Sequence, residues 1–240
     1  MIKAVVFDVD DTLYDQKAPF VAALEPLVTN SETLDFTQAF QDYRCQSASA
    51  YDQVASGRWS HEEMAVNRLN ATLQKQDAAP VDSATALAFE QAYAAGLQEI
   101  KLFPGLATAL DQLKDQFKLG IITNGKTQHQ LAKVMQLEMH RWIDRDNIIT
   151  SEEAGLAKPD PQIFTMMNHR LNLRATEVAY VGDCYGMDVK GAKQAGWHAF
   201  WFNHRNAEMT DGGSWIPDQT VGDSLELQDL LLALSAVPEL

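Results

Sequence analysis

The chain has 240 residues, 46% of them hydrophobic, which is enough for one large domain or two small ones with a proper core. Its 19 Lys and Arg against 33 Asp and Glu give a formal charge of −14, which disfavours a polyanionic partner such as a nucleic acid or an acidic membrane. No stretch approaches the ~20 apolar residues of a bilayer span, the N-terminus lacks a signal-peptide pattern, and Cys45 and Cys184 lie too far apart in sequence to suggest a disulfide framework, so a reducing, cytoplasmic setting is expected.

Ile2 to Phe7 is a short apolar run that ends at acids, which predicts a buried first strand over Lys3–Phe7. From about Asp15 to Glu99 only helix patterns follow. Ser60-His61-Glu62-Glu63 has the spacing of a capping box, with Val66, Leu69 and Leu73 behind it at helical intervals. Pro80-Val81-Asp82 separates that segment from an Ala-rich helix over Ser83–Leu97. Strands and helices then alternate. Leu106, Leu110, Leu113 and Phe117 form a helical stripe, Lys118–Thr123 a second strand, Thr127–Met139 a helix, and Asn147–Thr150 a weaker third strand. Pro161–Leu171 is predicted helical, Val178–Gly182 and Trp197–Phe202 are the fourth and fifth strands, and Leu225–Leu234 is a last helix. The pattern predicts an α/β fold with a Rossmann-like parallel sheet, in a core of residues 1–14 and 100–240, and an all-helical insert of residues 15–99. The insert holds too many helices for a single crossover between two strands.

Asp8, Asp10 and Asp11 directly follow the first strand, with Thr12 behind them. Ligands of open α/β sheets bind at the carboxyl ends of the strands, and three acids crowded there repel one another unless a cation or proton intervenes. An acidic turn is the plain reading; a Mg²⁺ site of carboxylate oxygens is the sharper one. EF-hand spacing fails, because counting from Asp8 puts Leu13 where Gly is required and Pro19 where Glu is required. At the end of the second strand, the Thr123 hydroxyl and the backbone N–H groups from Asn124 onward could hold phosphate oxygens. Lys158, followed by Pro159 and a helix opening at Pro161, is a candidate for a fixed cation. Gly182-Asp183-Cys184-Tyr185-Gly186-Met187-Asp188 ends the fourth strand, with Asp183 placed to complete a metal site and Asp188 to orient the lysine.

Together these stretches resemble the haloacid dehalogenase (HAD) superfamily. Val6-Phe7-Asp8-Val9-Asp10-Asp11-Thr12-Leu13 looks like its first motif, Thr123 its second, Lys158-Pro159 its third, and Gly182-Asp183 through Asp188 its fourth. The helical insert stands where the branch with a helical cap carries that cap. The resemblance implies that Asp8 is a nucleophile forming an aspartyl phosphate and that Asp10 protonates the leaving alcohol and later deprotonates water. It implies Mg²⁺ held by Asp8, Asp183 and the backbone carbonyl of Asp10. Thr123, Asn124 and Lys158 would bind the transferred phosphoryl group, Thr12 and Asp188 would support them, and the cap would select the alcohol. Many members have Gly where this chain has Asp11, whose expected role is to cap the turn through its side chain.

Four rival readings fit parts of this pattern. A phospho-receiver module needs its acceptor Asp at the end of a middle strand, and Asp52 follows Ser47–Tyr51, which is not a strand pattern. A haloacid dehalogenase proper needs neither Asp10 nor the metal site. A phosphomutase retains the same residues and differs mainly in its cap. A catalytically dead binding protein would not need the full set of side chains. The expected partner is therefore a small phosphorylated metabolite. Gly120 to Gly125, Thr150 to Pro159 and Trp201-Phe202-Asn203 resemble bacterial pyrimidine 5′-nucleotidase-like members, which favours nucleoside 5′-monophosphates. Asp11-Thr12-Leu13-Tyr14 also occurs in a branch acting on flavin precursors, and sugar phosphates remain open. The six histidines show no metal-ligand spacing. Trp142, Trp197, Trp201 and Trp215 are expected in the core or over the sheet, Cys184 as a small loop filler, and Arg58 and Trp59 as candidate contacts of the insert.

Overall fold

A computed structural model describes residues 1–29 and 31–235. The chain divides into two compact units, Met1–Asp15 with Lys101–Leu240, and Gln16–Ile100. In chain order the elements are β1 (Ala4–Phe7), α1 (Lys17–Leu24), α2 (Phe36–Ala55), α3 (His61–Lys75), α4 (Ser83–Gly96), α5 (Leu106–Leu113), β2 (Lys118–Thr123), α6 (Thr127–Gln136), β3 (Ile148–Thr150), α7 (Ser151–Ala154), α8 (Pro161–Leu171), β4 (Val178–Gly182), α9 (Lys190–Gln194), β5 (His198–Phe202), β6 (Gln219–Val221) and α10 (Ser224–Ser235).

The first unit is a six-stranded sheet in the order β3-β2-β1-β4-β5-β6, with every pairing parallel. All four residues of β1 are buried, as expected for a central strand covered on both faces. Phe7 stands beside Ile121 on one flank and Val181 on the other, so the ends of β1, β2 and β4 lie side by side. The chain leaves β1 in opposite directions across the sheet, and the crevice at such a switch point is where open α/β sheets bind ligands. Below it, Phe164 of α8 meets the rings of Tyr180 and Trp197 edge-on, with centroids 5.2 and 5.3 Å away.

The second unit is helical and has its own core. Phe20 is fully buried, with ring centroids of Tyr43, Phe40 and Phe89 at 5.1, 5.5 and 5.6 Å. Each such ring taken out of water contributes about 1.5–3 kcal/mol. The Ser60 capping box forms, with Glu63 N–H donating to Ser60 Oγ and Ser60 N–H to the Glu63 carboxylate. Asp82, read as part of a break, caps α4 by accepting from Thr85 N–H. Arg68 is buried with its guanidinium 3.7 Å from the Tyr43 ring centre.

Several expectations need correction. The edge strand β6 was not foreseen, because Gln219-Thr220-Val221 is short and exposes two of its three residues. The helix after β2 stops at Gln136, since Glu138 adopts a left-handed φ of 54° and a separate turn begins at Met139. The stripe ending at Phe117 is helical only to Leu113. Asp52 lies within helix α2, with no strand before it, and its side chain is outside the described part, as is that of Cys45. Among the described residues no helix is long and apolar enough to cross a membrane.

Candidate active site

Asp8 is the first residue past β1, and its N–H donates to Val181 O (2.9 Å), which anchors the turn to β4. Its carboxylate is 6% exposed. Burial raises its pKa from 3.8 to about 6; Lys158 pulls the other way, while Asp188 and Asp10 add to the rise. Lys158 is buried, and its three ammonium protons have three partners: Asp8 Oδ1 and Asp188 Oδ1, both at 2.7 Å, and the Tyr180 hydroxyl at 2.9 Å. Burial works against that charge, but the two carboxylates outweigh it and hold the lysine well above its ordinary pKa. Tyr180 in turn donates to Ile122 O at 2.6 Å, tying the lysine to β2.

Asp188 is 1% exposed and accepts a second bond from Cys184 N–H at 2.9 Å. It sits in a π-helical turn, Tyr185–Val189, of the kind that often marks functional sites. Gly182 makes room for it, because a Cβ there would collide with the Asp188 carboxyl group. Asp183 is half-buried, its backbone carbonyl accepts from Trp201 Nε1 (2.8 Å), and Thr12 Oγ1 reaches its carboxylate at 3.5 Å. Ligand oxygens of Asp8, Asp183 and Asp188 lie within 4.8 Å of one another. This cluster of hard oxygen donors, with one carboxyl destabilised as an anion by burial, fits a divalent cation. Asp188 was not foreseen as part of it.

The Thr123 side chain is 1% exposed, and its hydroxyl oxygen is buried with no hydrogen-bond partner among the described residues. An unmet buried hydroxyl costs about 1–3 kcal/mol, which an oxygen-bearing ligand would relieve. Asn124 is differently occupied. Its side-chain amide accepts from Lys158 N–H (2.9 Å) and donates to Lys158 O (3.0 Å), so it fixes the lysine's backbone. The next amides are also taken, Gly125 N–H by Ser151 Oγ and Thr127 N–H by Glu152. The expected run of free N–H groups is thereby shortened.

Asp10 turns to a different set of partners. Lys133 Nζ lies 2.6 Å from Oδ1 and 2.8 Å from Oδ2, the Tyr14 hydroxyl 2.6 Å from Oδ1, and Gln130 Nε2 2.9 Å from Oδ2. Burial would raise its pKa, but Lys133 and the other donors bring it down to about 2. Asp11 is fully buried at a φ of 63° and pairs with both nitrogens of an Arg205 fork, at 3.1 and 2.8 Å. The same guanidinium reaches Asp15 at 2.5 Å. Asp11 therefore ties the turn to Arg205 by an ion pair, beyond the turn-capping role expected of it. His204 contacts its carbonyl at 2.9 Å.

Tyr14, Gln130, Lys133, Tyr180 and Arg205 are not marked by the sequence pattern. Gln130 and Lys133 are one helical step apart on α6, and a polar residue facing inward there was the available signal. The Cys184 side chain is half-buried. Arg58 is exposed and bonded to Gln53 (2.6 Å), and Trp59 is half-buried.

Residues 2–196 match the family model for haloacid dehalogenase-like hydrolases. The chain belongs to that family and is a hydrolase. It is 31% identical over 209 residues to a glyceraldehyde 3-phosphate phosphatase of Methanopyrus kandleri, covering 82% of each chain. It is 25% identical to the pyrimidine 5′-nucleotidase YjjG of Escherichia coli, over 95% of this chain and 96% of that one. Among solved structures, the HAD-hydrolase YfnB of Bacillus subtilis superposes with a TM-score of 0.67 at 24% identity, over 96% of this chain and 99% of that one. That likeness shows the fold.

Proposed function

We propose that this hydrolase cleaves small phosphate monoesters, with Asp8 as nucleophile and Mg²⁺ as cofactor. The observation that carries the reading is the convergence, beside the adjacent ends of β1 and β2, of buried Asp8, the cation Lys158 bonded to it and the Thr123 hydroxyl, which has no partner among the described residues. An Asp8 carboxylate oxygen attacks phosphorus, and the bond to the leaving oxygen breaks. Asp10, having first taken up a proton from solvent, gives it to that oxygen. Asp10 then takes a proton from water as the water oxygen attacks phosphorus, and the Asp8–phosphoryl bond breaks to release phosphate. Lys158 and Thr123 bind the phosphoryl oxygens, while Asn124, Tyr180 and Asp188 hold Lys158 in place. Mg²⁺, held by Asp8, Asp183 and the Asp10 carbonyl with Asp188 beside them, would neutralise charge between the two anions. Thr12 supports Asp183.

Nucleoside 5′-monophosphates are the proposed substrates, on the strength of the core stretches shared with nucleotidase-like members and of the nearly full-length match to the E. coli nucleotidase. A three-carbon sugar phosphate is the second reading, favoured by the higher identity to the M. kandleri phosphatase. The helical unit, residues 16–100, is proposed as the element that chooses between alcohols. Purified protein assayed against a panel of phosphorylated metabolites, with and without EDTA, tests both parts. The expected result is release of phosphate from nucleoside monophosphates that chelation abolishes. Full activity after exhaustive chelation, or no release from any monoester, would overturn the reading.

A further inference from the structure

The four donor contacts on Asp10 have a consequence for how it can act. An ionised carboxylate offers about four lone-pair sites. Tyr14 and Lys133 use Oδ1, while Gln130 and Lys133 use Oδ2. In this arrangement neither oxygen has a lone pair left for a leaving alcohol or a water molecule. The Gln130 orientation is itself held against a cost. Its Nε2 also donates to Asn124 O (3.2 Å), while its Oε1 is buried without a partner among the described residues. Turning the amide over would set Oε1 against two acceptors, so the unmet oxygen is the lesser penalty.

We propose that Lys133, Gln130 and Tyr14 form a resting seat for Asp10, and that each proton transfer requires the carboxylate to give up at least one of these bonds. Lys133 is the principal positioning residue, because it alone spans both oxygens and contributes the charge-assisted bonds. The inference rests on the acid–base role proposed for Asp10. Once off the seat, Asp10 takes up a proton from solvent, passes it to the leaving oxygen and later receives one from water; Lys133 exchanges no proton in any of these steps.

Leaving-group dependence tests the seat. An alkyl phosphate needs a proton on its leaving oxygen, and p-nitrophenyl phosphate needs little help. The quantity read is the ratio of kcat for the alkyl ester to kcat for the nitrophenyl ester, under conditions where phosphorylation limits both. Lys133→Met should raise this ratio about tenfold, because a charge-assisted bond need no longer be broken. Lys133→Arg should bring it back toward the parent value, and in an Asp10→Asn background Lys133→Met should leave the ratio unchanged. Gln130→Met, which removes one neutral donor, should raise it by a smaller factor and carries the test if Lys133→Met fails to fold. An equal loss for both esters, or a fall in the ratio, would overturn the seat. If Asp10→Asn alone left the ratio at the parent value, the acid role itself would fall and the seat with it. That outcome is distinct from an Asp10→Asn variant that lowers the ratio while Lys133→Met fails to raise it.

Discussion

At the residue scale, the short turn from Asp8 to Asp11 carries three acids with three different partners. Asp8 meets Lys158, Asp10 meets Lys133, and Asp11 meets Arg205. Like charges within four residues are thus separated by giving each its own cation. The backbone at Asp11 is one that suits glycine. Its φ of 63° is left-handed, which glycine adopts without strain and a Cβ-bearing residue does not. Asp11→Ala and Asp11→Gly both lose the Arg205 pair, but Asp11→Ala should also keep the backbone penalty. It should be the less stable variant by about 1 kcal/mol in denaturant unfolding. Equal stability, or a more stable Asp11→Ala, would show that the pair rather than the backbone sets the choice there. Asp8 and the Asp183–Asp188 stretch were legible in the sequence because each follows a punctuated strand end, and Lys158 because Pro159 and the start of α8 at Pro161 fix the chain just after it. The cations that manage Asp10 and Asp11 were not, since Lys133 and Arg205 lie 123 and 194 residues away and carry no local signal.

At the element scale, strands buried on both faces announce themselves as continuous apolar runs, and β1, β2, β4 and β5 all do so. An edge strand such as β6 does not, because one side faces no neighbour and its residues can be polar. In the helical unit, the α3 boundary was readable from its capping box, whereas α1 and α2 lack so clear a signature. What holds those helices is tertiary: an aromatic cluster drawn from α1, α2 and α4. Phe89→Ala should therefore cost about 3–5 kcal/mol in the unfolding of that unit, measured by thermal or denaturant melting. A change below about 1 kcal/mol would mean that the cluster can collapse around the void and does not carry the unit's stability.

At the scale of the whole molecule, a chain with a formal charge of −14 must bring a phosphate anion to a cluster of carboxylates. Lys158 and the proposed divalent cation would supply the local reversal of field that this requires. The raised pKa of Asp8 makes cation binding pH-dependent. Between its ordinary 3.8 and about 6, the folded metal-free protein holds a proton on Asp8 that the unfolded chain releases, so this group's contribution to stability falls as pH rises through that window. A cation must displace that proton. Mg²⁺ affinity should therefore weaken by about tenfold for each pH unit below about 6 and level off above it, as read by calorimetric titration. Equal affinity on both sides of that pH would remove Asp8 from the cation's ligands. The central claim is that phosphate passes through Asp8, and trapping tests it most directly. Substrate is turned over with Mg²⁺, the reaction is quenched in acid, and the peptide containing Asp8 is weighed by mass spectrometry. The account predicts one phosphoryl group on Asp8, with neither label nor turnover in Asp8→Asn. Sustained turnover with Asp8 unlabelled, or an active Asp8→Asn, would contradict it.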